Sequence, residues 1–232
     1  MRQGRLSGRA VVVTCLLAAL GAARAWSTDD AGATAYFPLE VGRSWTYNLR
    51  ITTGQQTRTI EYTTRIARVD DVSGVPCAVF EDHSGERLLQ VNWYALDAAS
   101  GAIVQPQRQT RGVVGVLCAR QGERVGAPGR VLLTGEAVAA LPGKTSWEWA
   151  SSDGSSRGTV TLVGREKLRL RNHGELDCLV LVDEGTSSSG GRTARIERKV
   201  WLASGIGCVQ ERTTISAGDA TTESEATLIR HD

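Results

Sequence analysis

A chain of 232 residues with a 41% hydrophobic fraction carries enough apolar material to bury a core, either as one large β domain or as two small ones, which excludes wholesale disorder. Twenty-seven basic against 25 acidic residues leave a net charge of +2, and no long run of one sign occurs. The concentrated basic face that nucleic acid requires is therefore missing.

Arg2, Arg5 and Arg9 precede an uncharged apolar run from Ala10 to Ala23, and Ala23-Arg24-Ala25 closes it. This is the three-part pattern of a secretory signal peptide, residues 1–25, cut after Ala25. The run falls short of the ~20 residues that span a bilayer and no second such run follows, so the mature chain is expected to lack a transmembrane segment and to reside in the periplasm or outside the cell. Cys15 follows Thr14, where lipid attachment needs a smaller residue. Residues 26–35 are small and polar and read as a mobile leader.

Order is expected from Tyr36. Alternating aromatic and polar residues from Ser44 to Arg50 predict a strand, and after the turn Thr52-Thr53-Gly54-Gln55-Gln56 the run Thr57 to Val69 places Ile60, Tyr62, Thr64 and Ile66 on one side. Strands over Val75–Glu81, Arg87–Leu96 and Ala102–Gln109 follow, separated by Gly-containing turns, so residues 36–110 form an antiparallel meander. Residues 111–135, with Gly112, Gly115, Gly122, Gly126 and Pro128-Gly129, read as a connector. The Ala-rich stretch from Gly135 to Leu141 is the one helix candidate.

The second part, residues 136–232, repeats the landmarks of the first. Leu141-Pro-Gly-Lys-Thr-Ser-Trp-Glu-Trp149 is a degraded copy of Leu39-Glu-Val-Gly-Arg-Ser-Trp-Thr-Tyr47; Leu176-Asp-Cys-Leu-Val-Leu-Val182 answers to Val75-Pro-Cys-Ala-Val-Phe-Glu81, and Trp201-Leu-Ala203 to Trp93-Tyr-Ala95. Landmarks in one order at nearly constant spacing indicate a tandem duplication of a sheet-sized unit. The expected fold is all-β: two tandem antiparallel meanders forming a curved sheet, a half-barrel or a sandwich.

The opening Tyr36-Phe-Pro-Leu-Glu-Val-Gly-Arg-Ser-Trp-Thr-Tyr47, the strand Val75-Pro-Cys77 and the closing Trp201-Leu-Ala-Ser-Gly-Ile-Gly-Cys-Val209 resemble an uncharacterised bacterial envelope family often called TapB-like, across both halves of the chain. The resemblance implies an exported or lipoprotein-like half-barrel of the kind used by periplasmic lipoprotein carriers, and it implies no catalytic residue. The chain departs from that pattern in carrying Cys208 where an aliphatic residue is usual and in lacking a lipid-attachment cysteine.

Four cysteines remain after export: Cys77, Cys118, Cys178 and Cys208. An even number in an exported chain suggests two disulfides, with pairing inside each half, Cys77 to Cys118 and Cys178 to Cys208, closing the shorter loops. If Cys178 and Cys208 flank one common neighbour in a flat meander, they lie about two strand spacings apart and beyond the ~7 Å that a bridge tolerates. Buried free thiols are the alternative. The absence of Cys-x-x-Cys and the scarcity of histidine argue against a metal cluster.

Catalytic equipment is sparse. Gly154-Ser-Ser-Arg-Gly158 has no helix behind it and reads as a hairpin loop rather than a nucleophile elbow, and Gly143-Lys144-Thr145 leads into a strand rather than the helix of a phosphate loop. His83 and His173 are expected in turns and His231 in the tail. Trp45, Tyr47, Trp147 and Trp149 stand at repeat-equivalent places and are either core or a ligand-facing platform. The reading that follows is a non-catalytic exported envelope protein, without metal or cofactor, that binds a lipid-like ligand or an envelope protein. A purely structural surface protein and a hydrolase without recognisable motif are the alternatives.

Overall fold

The computed structural model describes residues 32–110, 130–151, 154–189 and 191–232. The first part contains α1 (Ala33–Tyr36), β1 (Ser44–Thr53), β2 (Gln56–Val72), β3 (Val75–Ser84), β4 (Arg87–Asp97), β5 (Ala102–Thr110) and β6 (Arg130–Leu133). The second contains α2 (Gly135–Ala139), β7 (Thr145–Ala150), β8 (Ser156–Leu170), β9 (Gly174–Ser189), β10 (Arg192–Ala203), β11 (Gly207–Ala217) and β12 (Ala220–His231). All twelve strands join one antiparallel sheet in the order β6-β5-β4-β3-β2-β1-β12-β11-β10-β9-β8-β7. The sheet curls into a nearly closed barrel, so the all-β curved sheet is found and the sandwich of two packed sheets is not.

Two meanders meet where β1 pairs with β12, from Trp45 opposite His231 to Thr53 opposite Thr222. At the other end of the order, β6 and β7 are the two edges. Trp147 on β7 donates its indole N–H to the carbonyl of Val131 on β6 at 3.0 Å and links them.

Period-two alternation makes one face of each strand the core face. On β1, Trp45, Tyr47 and Ile51 are buried while Asn48 and Arg50 are exposed. Register shifts lie between Ile66 and Arg68 on β2, Trp93 and Ala95 on β4, Leu162 and Gly164 on β8, and Trp201 and Leu202 on β10. Such irregularities bend a strand and raise its twist, which lets a sheet this wide curl.

A recurring arrangement on the outer face fixes each meander. Trp93 stands opposite Val79, Asp70 stands opposite Cys77, and the Trp93 indole N–H donates to Asp70 Oδ2 at 3.1 Å. In the second part Trp201 stands opposite Val180, Glu166 opposite Cys178, and the Trp201 N–H donates to Glu166 Oε2 at 2.9 Å.

Several sequence expectations are corrected. Order begins before Tyr36, because α1 starts at Ala33, whose side chain is buried. Strand β3 continues through His83 to Ser84, so His83 lies on a strand rather than in a turn. The stretch 111–135 read as connector ends in strand β6, which pairs with β5 through Ile103 opposite Leu133 and Val104 opposite Val131. The helix expected from Gly135 is α2, and Thr134 caps it by accepting a hydrogen bond from the Ala137 N–H at 3.0 Å.

The disulfide expectation is also overturned: Cys77, Cys178 and Cys208 carry free thiols. Cys178 lies on β9 and Cys208 on β11, with β10 between them. Cys178 shares the outer face with Glu166, whereas Cys208 lines the barrel interior. Cys118, the expected partner of Cys77, lies outside the described residues, as do residues 1–25.

Candidate functional site

The barrel encloses a cavity of about 190 Å³. Six of its lining residues are aromatic. Both phenylalanines of the chain, three of its four tyrosines and Trp45 line it: Phe37, Tyr47, Tyr62, Phe80 and Tyr94 complete the set. Trp45 stacks on Phe80 at 5.9 Å between ring centres, Tyr47 on Tyr62 at 5.1 Å, and Tyr94 meets Phe37 and Phe80 edge-on at 4.9 and 4.8 Å. These geometries match the electrostatic preference of aromatic rings for offset or edge contact.

Backbone carbonyls of the turn into β11 hold the rings of β1 in place. Trp45 donates its indole N–H to the Ile206 carbonyl at 2.6 Å, and Tyr47 donates its hydroxyl to the Cys208 carbonyl at 2.8 Å. Gly207, between them, has φ +98°, and a Cβ there would sit 3.2 Å from Pro38 Cδ. Only glycine takes that conformation without strain while the chain that follows α1 passes so close.

The remaining lining mixes apolar residues, among them Leu132, Val200 and Leu202, with polar ones. Thr64 donates to Asp82 at 2.6 Å and Gln90 to its other oxygen at 3.2 Å, and Gln105 donates to Asn92 at 3.0 Å. Arg198 on β10 pairs with Glu211 on β11 at 3.2 Å. Farther along the interior, Arg130 on β6 forms an ion pair with Asp183 on β9, lies 4.2 Å over the Trp149 ring, and Trp149 donates to the same Asp183 at 3.0 Å.

Burial pushes the Tyr47 and Tyr62 hydroxyls well above the usual phenol range, with the nearby Cys208 and carboxyl groups adding to it. Burial, aided by the charge of Glu211, pushes the Cys208 thiol up to about 12. The cavity thiol therefore stays protonated near neutral pH and is a poor nucleophile. None of the three histidines lines the cavity. His83 lies 3.2 Å from Glu81, and His173 stacks on His231 at 5.4 Å. Among the described residues, no group of three or more His, Cys, Asp or Glu side chains converges to hold a metal ion.

Of the four aromatic residues singled out in the sequence, the structure brings Trp45 and Tyr47 into the cavity and leaves the other two elsewhere. Trp147 spans the seam between β6 and β7. Trp149 lies flat on Gly158 of β8 and Gly185 of β9, where a Cβ would come within 3.0 and 3.2 Å of the indole. Phe37, Tyr62, Phe80, Tyr94, Arg198 and Glu211 were missed. A signal existed for Arg198, which occupies the same alternation phase as Val200 and Leu202, so a charge stands in an otherwise apolar inward row.

No family model and no curated protein matches the chain, so the TapB-like resemblance stands on its motifs alone. Two solved structures are similar. One is a "putative exported protein with YMCC-like fold" from Bacteroides fragilis, with 13% identity and a TM-score of 0.36. The other is a "putative lipoprotein" from Parabacteroides distasonis, with 9% identity and a TM-score of 0.40. Each comparison covers 85% of this chain and 98% of the other.

Proposed function

We propose that the chain is a non-catalytic, exported envelope protein whose barrel holds one end of a lipid-like ligand. The observation that carries this reading is the interior cavity, lined by six aromatic rings interleaved with polar groups. Apolar lining with a few placed polar groups is the usual composition of a small-molecule site. Its volume of about 190 Å³ lies below the ~300–1,000 Å³ typical of drug-sized ligands, so it suits a short chain or a ring rather than a whole phospholipid. The pattern of residues 1–25 supports export. A high-pKa thiol and outlying histidines support a role without catalysis.

The test is binding of the neutral dye N-phenylnaphthylamine to the purified mature protein, followed by its fluorescence. Wild type is expected to bind one equivalent. Ala226→Phe, which fills the cavity from β12, is expected to lose binding while keeping its far-UV circular dichroism. A folded wild type that leaves the dye dark overturns the reading. So does equal binding by a folded Ala226→Phe.

A further inference from the structure

We infer that the polar group of the ligand is an uncharged oxygen acceptor, such as an ester carbonyl or a hydroxyl, held by Arg198 with its charge already neutralised by Glu211. The inference rests on the cavity reading above and adds the chemistry of the ligand's head.

Arg198 and Glu211 both line the cavity, on neighbouring strands, and their side chains keep 29% and 27% of their surface accessible. A guanidinium carries five N–H donors and no acceptor. One nitrogen of Arg198, Nη2, meets Glu211 Oε2 at 3.2 Å, and Nε is buried without an acceptor. The guanidinium therefore holds donor capacity that the protein leaves unused, beside a cavity large enough for a small ligand group. Nε itself has almost no accessible surface, so a ligand acceptor meets the guanidinium through its accessible nitrogens, where partial burial makes a hydrogen bond worth more than at the open surface.

The same geometry selects against ions. Glu211 balances Arg198, and its other oxygen already accepts from Thr213 at 3.2 Å. Asp183 stands opposite Arg198 on β9 and pairs with Arg130. An anionic head would have to displace Glu211 from Arg198 or sit beside Glu211 and Asp82, and a cationic head would have to take Glu211 from Arg198 or Asp82 from its Thr64 and Gln90 donors. Either separates polar groups that already match each other in a poorly solvated interior, which is costly. A carbonyl or hydroxyl oxygen takes the spare donors and adds no charge.

The test displaces N-phenylnaphthylamine from the mature protein with three probes of equal chain length, octanol, octanoate and octylammonium, near neutral pH and below their aggregation limits. Octanol is expected to displace at roughly tenfold lower concentration than either ion, the size of effect given by one hydrogen bond to a charged group. Glu211→Gln releases the Arg198 charge and is expected to bring octanoate to the front of the order. Arg198→Met is expected to weaken octanol about tenfold while the dye still binds. Octanoate or octylammonium outranking octanol on wild type overturns the inference, and so does an unchanged order in a folded Glu211→Gln. Failure of the dye itself to bind overturns the cavity reading and this inference together, whereas dye binding with the wrong order of heads overturns the inference alone.

Discussion

Trp147 donates its indole N–H to the Val131 carbonyl between β6 and β7, which, among the described residues, are the two edges of the strand order. The opposite junction, β1 with β12, is a paired ladder along the whole of β1 apart from its first residue, Ser44. The two junctions of the barrel are thus unequal: one is held by backbone hydrogen bonds, the other by side chains, with the Arg130 to Asp183 ion pair reaching from β6 to β9 behind it.

This inequality sets the first prediction. Trp147→Phe keeps the ring and removes the donor, and is expected to cost about 1 kcal/mol. Asp183→Asn weakens the charge partner of a half-buried Arg130 and is expected to cost more, about 3 kcal/mol. In both variants amide hydrogen exchange should accelerate first in β6 and β7, ahead of β1 and β12. Uniform acceleration across all strands would contradict a seam held by these side chains.

The outer-face pairs give the second. Asp70→Ala and Glu166→Ala each remove the acceptor of a buried indole N–H, Trp93 in one meander and Trp201 in the other. Each is expected to lower the unfolding free energy by about 1–2 kcal/mol in urea titrations. Because the two pairs share no partner, the double variant should show the sum to within about 0.5 kcal/mol. Strong coupling between them would show that the two meanders do not keep their pairs independently.

Glu81 gives a pH dependence. Burial works against its ionisation, but hydrogen bonds from Arg65, His83 and Arg68 outweigh it and hold the carboxyl down at about 2, against 4.5 when unperturbed. A folded-state pKa below the unfolded one stabilises the fold above the unfolded value, and that contribution is lost as pH falls through the folded value. Stability should therefore decline between pH 4.5 and about 2, by about 2 kcal/mol after allowance for the solvent-exposed arginine partners. Glu81→Gln should remove this portion of the acid dependence, as measured by urea midpoints across that range.

Much of the fold was legible because strand alternation is a local property. The run Ile60, Tyr62, Thr64, Ile66 showed which face of β2 turns inward, and the glycine-marked turns fixed the succession of strands. What joins distant strands was not local. Nothing around Trp147 in sequence distinguishes it from Trp45, yet one spans a seam and the other lines the cavity, because β1 has β12 as a full partner and β7 meets only four-residue β6. The site was less legible for the same reason: Phe37, Tyr62, Phe80 and Tyr94 come from four elements or turns, and only closure of the sheet brings them together. Cysteine counting failed because parity says nothing about faces, and strand alternation sends Cys178 outward and Cys208 inward.

The thiols supply the last prediction. Burial pushes Cys77 and Cys178 up to about 11 and Cys208 to about 12. At about pH 8 an ordinary cysteine is partly thiolate, while these three remain protonated, Cys77 and Cys178 buried and Cys208 half-buried against the cavity. A Cys118→Ser variant of the mature chain, without residues 1–25 and their Cys15, should therefore show no fast reaction with a thiol-specific disulfide reagent while folded, and three equivalents once unfolded in guanidinium chloride. An acid whose folded pKa is raised stabilises the fold below its unfolded value, and that stability is lost as pH climbs toward the folded one. Alkaline destabilisation should accordingly set in above pH 9 and extend toward 11 to 12. Cys208→Ala should shed part of that alkaline slope in urea titrations. Fewer than three equivalents after unfolding without reductant would show that a disulfide exists after all, and prompt reaction of the folded variant would show that the surrounding packing does not shield these thiols.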